Sequence, residues 1–328
     1  MMSIASVVKQ LKQKWLSSVH FHPQVDSLNQ PLLDKNAILD LYYRALRSIT
    51  ANQSTMDLAH RLPGDTRSVF RGTGLDFEES RPYQWGDELR YMNWRLMART
   101  SEPYMKVFSE ERRRSIFIVV DQRGPMCFGT RVRLKATQAA RVAAILAFAA
   151  QQQNIEVSGV ILKNRPIWLE ACNDEQSVFH FVNRVSQACA QPSSSQQAPT
   201  INYISRLLHP MLSRGSQLVF ISDFYDLDAD SSTPLLPLCL AHAVKAIHII
   251  DPAEMAVPKV GKLAMQALNK VQTINSMDQE LARQYQQAAL QHRETRAQLL
   301  RSMGIEYIRI LTDTDAIENA LHINRAGA

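Results

Sequence analysis

The sequence predicts an α/β protein built on a doubly wound, mostly parallel sheet. Short runs rich in Val and Ile at residues 116–120, 157–162, 218–221, 244–250 and 307–311 have the length and composition of strands buried on both faces. Helical stretches alternate with them at 131–152, 175–189, 201–213, 234–242, 277–302 and 315–321. Such alternation folds into a parallel sheet with helices on both sides. An acid closes four of the runs, Asp121, Asp223, Asp251 and Asp313, at the strand ends where open sheets of this class bind ligands.

Composition supports a substantial core. Of 328 residues 45% are apolar, which excludes wholesale disorder, and the length suits about two domains or one large α/β domain with an elaboration. Glycine, 11 of 328, is about half its usual ~7%, so architectures built on glycine loops are disfavoured. The net charge of +6 is mild for this length. Cys127, Cys172, Cys189 and Cys239 form no C-x-x-C pair and read as reduced core thiols of a cytoplasmic protein rather than zinc ligands or disulfides. No run reaches the ~18 apolar residues of a membrane span. Lys9, Lys12 and Lys14 break the apolar pattern that a signal peptide would need.

Residues 1–34 form a lead-in. Ile4, Val7, Val8, Leu11 and Trp15 recur at helical spacing between lysines. The pattern fits a helix that docks on its own domain or on a partner, and also a weak membrane-surface contact through residues 1–16. A helix is expected over 34–48. Residues 35–114 form a second region, expected to pack on the sheet domain of 115–328. From His60 to Arg114 eleven Lys and Arg face nine Asp and Glu; this near-balance predicts ion pairs rather than a phosphate-binding stripe. Arg112-Arg113-Arg114 is the most basic run, but Glu110 and Glu111 beside it argue against nucleic acid. Residues 191–199 read as a loop. In the helix at 277–302, Leu281, Tyr285, Ala288, His292 and Leu299 lie near one face, suited to the sheet or to a partner.

Much familiar chemistry lacks a foothold. There is no G-x-G-x-x-G, no phosphate loop, no G-x-S-x-G elbow and no H-E-x-x-H. His180 falls on an apolar helix face and reads as a satisfied core residue. The strand-end acids could chelate a hard cation such as Mg²⁺, although helix capping accounts as well for Asp313 and Asp251.

Two stretches resemble a known bacterial family. From Phe70 to Arg99, Gly72, Gly74, Phe77, Arg81, Tyr83, Gly86, Asp87, Arg90, Asn93, Trp94, Ala98 and Arg99 stand in the register of the signature of domain-of-unknown-function family 58. Val107, Glu110 and Glu111 follow, then a strand ending in Asp121. The segment Asp251-Pro-Ala-Glu254 is similar to the family's D-P-x-E. The resemblance spans about residues 35–315 and fits the family's shorter, soluble form.

The resemblance implies a core similar to a von Willebrand factor A domain. It also implies work beside a MoxR-type AAA+ ATPase in assembling or remodelling a client protein. Such cores often hold a divalent metal through D-x-S-x-S, a Thr and a second Asp. Asp121, Thr200 and Asp223 occupy those places, but Arg123 and Pro125 replace the two serines. Proline brings no hydroxyl, and arginine brings a permanent charge. The expectation is a degenerate metal site in which the Arg123 guanidinium, in place of the cation, neutralises Asp121 and Asp223.

Arg81, Asp87, Arg90, Glu110 and Glu111 are expected to form ion pairs among Tyr83, Trp85, Tyr91 and Trp94. The segment fits internal packing for most of these residues, or a recognition surface for a partner protein. The leading functional expectation is a non-enzymatic scaffold or adaptor without a cofactor. The alternative is a Mg²⁺-dependent enzyme using Asp121, Asp223 and Asp251.

Overall fold

The computed structural model describes residues 30–50, 75–110, 114–189, 198–212, 215–258, 261–267, 270–315 and 317. The lead-in helix at 1–16 and most of the helix expected at 315–321 lie outside them. The chain divides into two compact units, one of Met1–Leu62 with Arg114–Ala328 and one of Pro63–Arg113.

Helix α1 (Lys35–Thr50) belongs to the larger unit, so the boundary expected at residue 35 does not separate it from the sheet domain. Leu41 and Ala45 join the larger unit's core, and Tyr42 meets Phe148 edge-on with ring centroids 5.2 Å apart. Leu32 and Leu33, at the end of the expected lead-in, are buried in the same core.

The smaller unit is a hairpin with a short helical insert. Strand β1 (Leu75–Pro82) pairs antiparallel with β2 (Tyr104–Glu110), and helix α2 (Trp94–Thr100) lies between them in sequence. Asn93 caps α2 by accepting from the Leu96 N–H, and Ser101 closes it in the left-handed conformation. Gly86, at φ +104°, supplies a backbone conformation that a Cβ would strain.

The larger unit carries a six-stranded sheet. Strand β3 (Ser115–Asp121) is followed by helix α3 (Lys135–Gln152), then β4 (Glu156–Leu162), β5 (Ile167–Cys172) and α4 (Glu175–Val185). Helix α5 (Ile201–Leu208), β6 (Gln217–Ser222), α6 (Ser232–Ala241) and β7 (Ala243–Ile250) come next. A separate hairpin, β8 (Lys262–Ala267) and β9 (Lys270–Asn275), precedes α7 (Gln279–Ser302) and β10 (Glu306–Leu311). The strand order is β10-β7-β6-β3-β4-β5. All neighbours are parallel except β4 and β5.

The core splits by the two-residue period of the strands. Ile116, Ile118 and Val120 of β3 face α1, α3 and α4, whereas Phe117 and Val119 face α5, α6 and the end of α7. Helix α3 is buried along most of its length and supplies mainly alanines, which let helix and sheet approach closely. Gly159 serves the same end in β4: a Cβ there would run into the Ile118 carbonyl oxygen and stand 3.3 Å from the Phe181 ring. Helix α7 buries Tyr285, Ala289, Ala297 and Leu300, so it packs within its own unit. Among the described residues no helix is long and apolar enough to cross a membrane.

His180 departs from expectation. The inward face of α4 is Val178, Phe181, Val182 and Val185, and His180 falls between those positions and is exposed.

Candidate functional site

The chain winds outward from β3 in both directions, first through β4 and β5, then through β6, β7 and β10. The reversal places a crevice at the carboxyl ends of β3 and β6. Asp121 is the last residue of β3 and Ser222 the last of β6. Ser222 Oγ donates to Asp121 Oδ2 at 2.6 Å and accepts from the Phe224 N–H at 2.9 Å.

Arg123 lies beside them at 1% exposure, with every N–H engaged. Its Nε donates to Asp121 Oδ1 at 2.9 Å and its Nη2 to Asp121 Oδ2 at 2.6 Å. Nη1 donates to Asp226 Oδ2 at 2.7 Å and to the Pro199 carbonyl at 3.0 Å, and Nη2 also reaches Asp226 Oδ1 at 3.2 Å. The Tyr225 ring covers the guanidinium at 4.9 Å. Burial alone would lower the Arg123 pKa, but the charges of Asp121 and Asp226 outweigh it and hold the group well above its usual value. The guanidinium therefore bridges Asp121 and Asp226, which corrects the expectation that it would serve Asp121 and Asp223.

Asp223 is held by Lys135, the first residue of α3. Lys135 Nζ donates at 2.7 Å to both Asp223 Oδ2 and Glu254 Oε1, with the Phe128 ring 5.8 Å away. Burial opposes the Lys135 charge, and the two carboxylates more than restore it. In turn Lys135, then Arg123 and Arg296, hold the Asp223 carboxyl below its usual range against the cost of burial.

Glu254 and Asp251 form a reciprocal cap. The Asp251 N–H donates to Glu254 Oε2 at 2.9 Å, and Asp251 Oδ1 accepts from the Ala253 N–H at 2.9 Å. The fully buried Asp251 carboxylate also accepts from the Thr130 N–H at 3.0 Å, from the Thr130 hydroxyl and from Thr312 Oγ1 at 2.9 Å. Asp313 stands apart, more exposed, 3.5 Å from Arg131. The four strand-end acids thus do not share one site. Three are fixed by separate donors in one buried polar layer.

That donor set does not fit a divalent cation. Both Asp121 oxygens are occupied by a permanent positive charge that would repel the ion. Pro125 offers no oxygen from its side chain. Thr200 Oγ1 accepts from the Tyr203 N–H as the cap of α5. A hard cation needs about six oxygen ligands near 2.0–2.6 Å, and here the carboxylates already have partners.

Behind this layer Phe224 adopts φ +52°, a costly backbone for an aromatic residue. Its ring meets the buried His248 ring edge-on at 5.7 Å. His248 Nδ1 is 2.6 Å from the Tyr307 hydroxyl. Burial first, then Arg296 and other nearby cations, push the His248 pKa down to about 3.

In the smaller unit Arg81 and Asp87 form a two-pronged ion pair, Nη1 to Oδ2 at 2.8 Å and Nη2 to Oδ1 at 2.6 Å. Asp87 also accepts from the Gln84 N–H at 2.9 Å, and the Arg81 bond, then the Gln84 N–H, hold its pKa below the usual range. Tyr83 ties its N–H to the Pro103 carbonyl at 2.9 Å. Asn93 Nδ2 donates to Ser80 Oγ at 2.9 Å. Arg90 pairs with Glu88 at 2.7 Å and lies 4.8 Å over the Tyr91 ring, so it does not join Arg81 and Asp87 as expected. Arg99 is exposed, Glu110 ends β2, and Glu111 lies outside the described residues. Trp85 is 98% exposed and Trp94 62%, whereas internal packing was the first expectation for most of these residues.

Residues 79–295 match the family described as Protein of unknown function DUF58. The chain belongs to that family. This DUF58 protein is 28% identical over 274 residues, 83% of its own chain and 85% of the relative, to Uncharacterized protein Rv1480 of Mycobacterium tuberculosis (strain ATCC 25618 / H37Rv). Uncharacterized protein Mb1516 of Mycobacterium bovis has the same identity and coverage. Among solved structures it is similar to an aerotolerance-related membrane protein from Bacteroides fragilis NCTC 9343, at 13% identity and TM-score 0.40, covering 65% of this chain and 100% of that one. The SpRpn10 VWA domain has 11% identity and TM-score 0.37, covering 66% and 100%.

Sequence reasoning missed Lys135, Asp226, Thr130 and Thr312. Two signals stood in the chain. Lys135 opens a helix dominated by alanine and other apolar residues, where a buried cation must find a carboxylate. Asp226 follows Asp223 by three residues in the same post-strand loop.

Proposed function

We propose that this DUF58 protein is a non-enzymatic adaptor of the cytoplasm that presents its strand-end face and its aromatic signature unit to other proteins. The observation that carries the reading is the internal neutralisation of the crevice. Arg123 satisfies Asp121 and Asp226, and Lys135 satisfies Asp223 and Glu254. The carboxylates that the alternative reading would use for Mg²⁺ have partners within the fold, which supports a degenerate metal site in which Arg123 takes the part of a cation. The exposed Trp85 and Trp94 are of the residue type most enriched at the energetic centres of protein contacts.

The partner fitting the family resemblance is a MoxR-type AAA+ ATPase, which would supply the chemistry while this chain recruits a client. The test is affinity capture of the tagged protein from its native host, with ATP, with a non-hydrolysable analogue and without nucleotide. Nucleotide-sensitive recovery of an AAA+ ATPase, lost with a Trp85→Ala/Trp94→Ala variant of unchanged melting temperature, is the expected result. Recovery of no ATPase in any state would overturn the proposed partnership.

A further inference from the structure

Helix α7 lies over the carboxyl ends of β6 and β7 and leaves a small, partly open crevice beneath it. Asp223, Glu254 and His248 lie on the strand side, and Arg293 and Arg296 on the helix side. The two arginines are three positions apart and therefore share one face of α7. Each is anchored by one hydrogen bond to a main-chain carbonyl. Arg293 Nη1 donates to the Glu254 oxygen at 3.0 Å and Arg296 Nη2 to the Tyr225 oxygen at 3.2 Å.

Neither guanidinium has a carboxylate ion pair among the described residues. The two acids in the crevice are already held by Lys135, both at 2.7 Å. Three permanent cations therefore meet two carboxylates, and the surplus charge lies on the α7 side. The depressed His248 pKa has the same origin in part, because Arg296, Lys135 and Arg293 all act against a charged imidazole. Ile250 and Ala289 supply apolar wall.

We propose that this crevice is an anion pocket that receives the carboxylate of an acidic side chain on a partner polypeptide, gripped by Arg293 and Arg296. Fixing one N–H of each guanidinium to the main chain orders the side chain in advance, and the remaining N–H groups suit the two oxygens of a carboxylate. The polypeptide origin of the ligand rests on the adaptor reading. The anion chemistry rests on the pocket alone.

The test uses the full chain in isolation, labelled with ¹⁵N-arginine, and follows the Arg293 and Arg296 Nε–H resonances. Probes are acetate, N-acetylaspartate amide and inorganic phosphate, each against chloride at equal ionic strength. The expected result is a saturable shift of both resonances by the two carboxylates. Arg296→Lys, which keeps the charge but not the fork, should weaken binding roughly tenfold. Arg293→Gln/Arg296→Gln should abolish it at unchanged melting temperature. If the double variant fails to fold, the lysine variant alone decides. Shifts no larger than those in chloride, or saturable binding of phosphate without the carboxylates, would overturn the proposal. No ATPase is present, so failure here leaves the capture experiment to judge the adaptor reading separately.

Discussion

Ser222 and Asp121 join the ends of two adjacent parallel strands, Oγ to Oδ2 at 2.6 Å. This contact places the Asp121 carboxylate between a hydroxyl and the Arg123 guanidinium, with none of the three exposed to solvent. Arg123→Met removes the cation that the described residues place on a buried carboxylate, while leaving Ser222 in place. We expect a loss of about 3–5 kcal/mol in urea unfolding, and we expect Asp121→Asn/Arg123→Met to recover part of it. An Arg123→Met loss below about 1 kcal/mol, the scale of an exposed pair, would refute the picture of a desolvated bridge.

Restoring serines at the two departing positions should change the ion preference of the crevice. In Arg123→Ser/Pro125→Ser the carboxylates of Asp121 and Asp226 lose their guanidinium and gain hydroxyl neighbours. Mg²⁺ should then raise the melting temperature, because a ligand bound only by the folded state stabilises it. The parent protein should not respond.

Lys135 joins the start of α3 to the end of β6 and to the turn after β7. Lys135→Met keeps the length of the side chain and strands Asp223 and Glu254. The expected cost is about 3 kcal/mol or more, measured by chemical unfolding at neutral pH. It should shrink as pH falls and the carboxyl groups protonate, because Asp223 is charged in the fold only through its cations.

His248 gives the fold a pH dependence of definite sign. Its folded pKa of about 3 lies below the ordinary histidine value of 6.5, so the unfolded chain binds the extra proton first. The stability it contributes is complete above the unfolded pKa and is lost as pH falls from there towards 3. Within that window the loss approaches about 1.4 kcal/mol per pH unit. Unfolding curves at pH 7, 6 and 5 should show His248→Gln with the shallower dependence; parallel curves would exclude this role.

Thr312 closes the buried shell around Asp251. Thr312→Val keeps the shape and removes one donor to a charged acceptor, for an expected cost of about 1.5–3 kcal/mol. A near-neutral effect in thermal or urea unfolding would mean that the remaining donors suffice.

The central sheet could be read in the sequence because its inner strands are buried on both faces along most of their length. Ile116, Ile118 and Val120 turn one way and Phe117 and Val119 the other, so β3 appears as one unbroken apolar run. Strand β5 carries no such run. Its residues Ile167–Cys172 alternate in exposure at the sheet edge, and the same short segment fits a loop. The hairpin of β8 and β9 likewise lacks a two-sided core signal.

At the site, the sequence located Asp121, Arg123 and Asp223 but not their pairing. Arg123 could reach either nearby acid, and only the path of the loop after β6 decides for Asp226. Thr130 and Thr312 stayed hidden because a hydroxyl that caps a turn and one that serves a buried carboxylate look alike in sequence. His180 misleads for a related reason. Helical phase puts it outside by one position, whereas His248 lies in a stretch of β7 that is buried on both faces.

A positive charge carried by Arg123 has no off-rate. A bound ion would come and go with its concentration in the cell, and a chelator could strip it. A guanidinium is installed when the chain is made and stays for the life of the protein. We therefore expect the β3–β6 face to keep a single electrostatic state at every level of free divalent metal. Whatever approaches this face meets the same surface each time, and the timing of any engagement has to be set by the visitor.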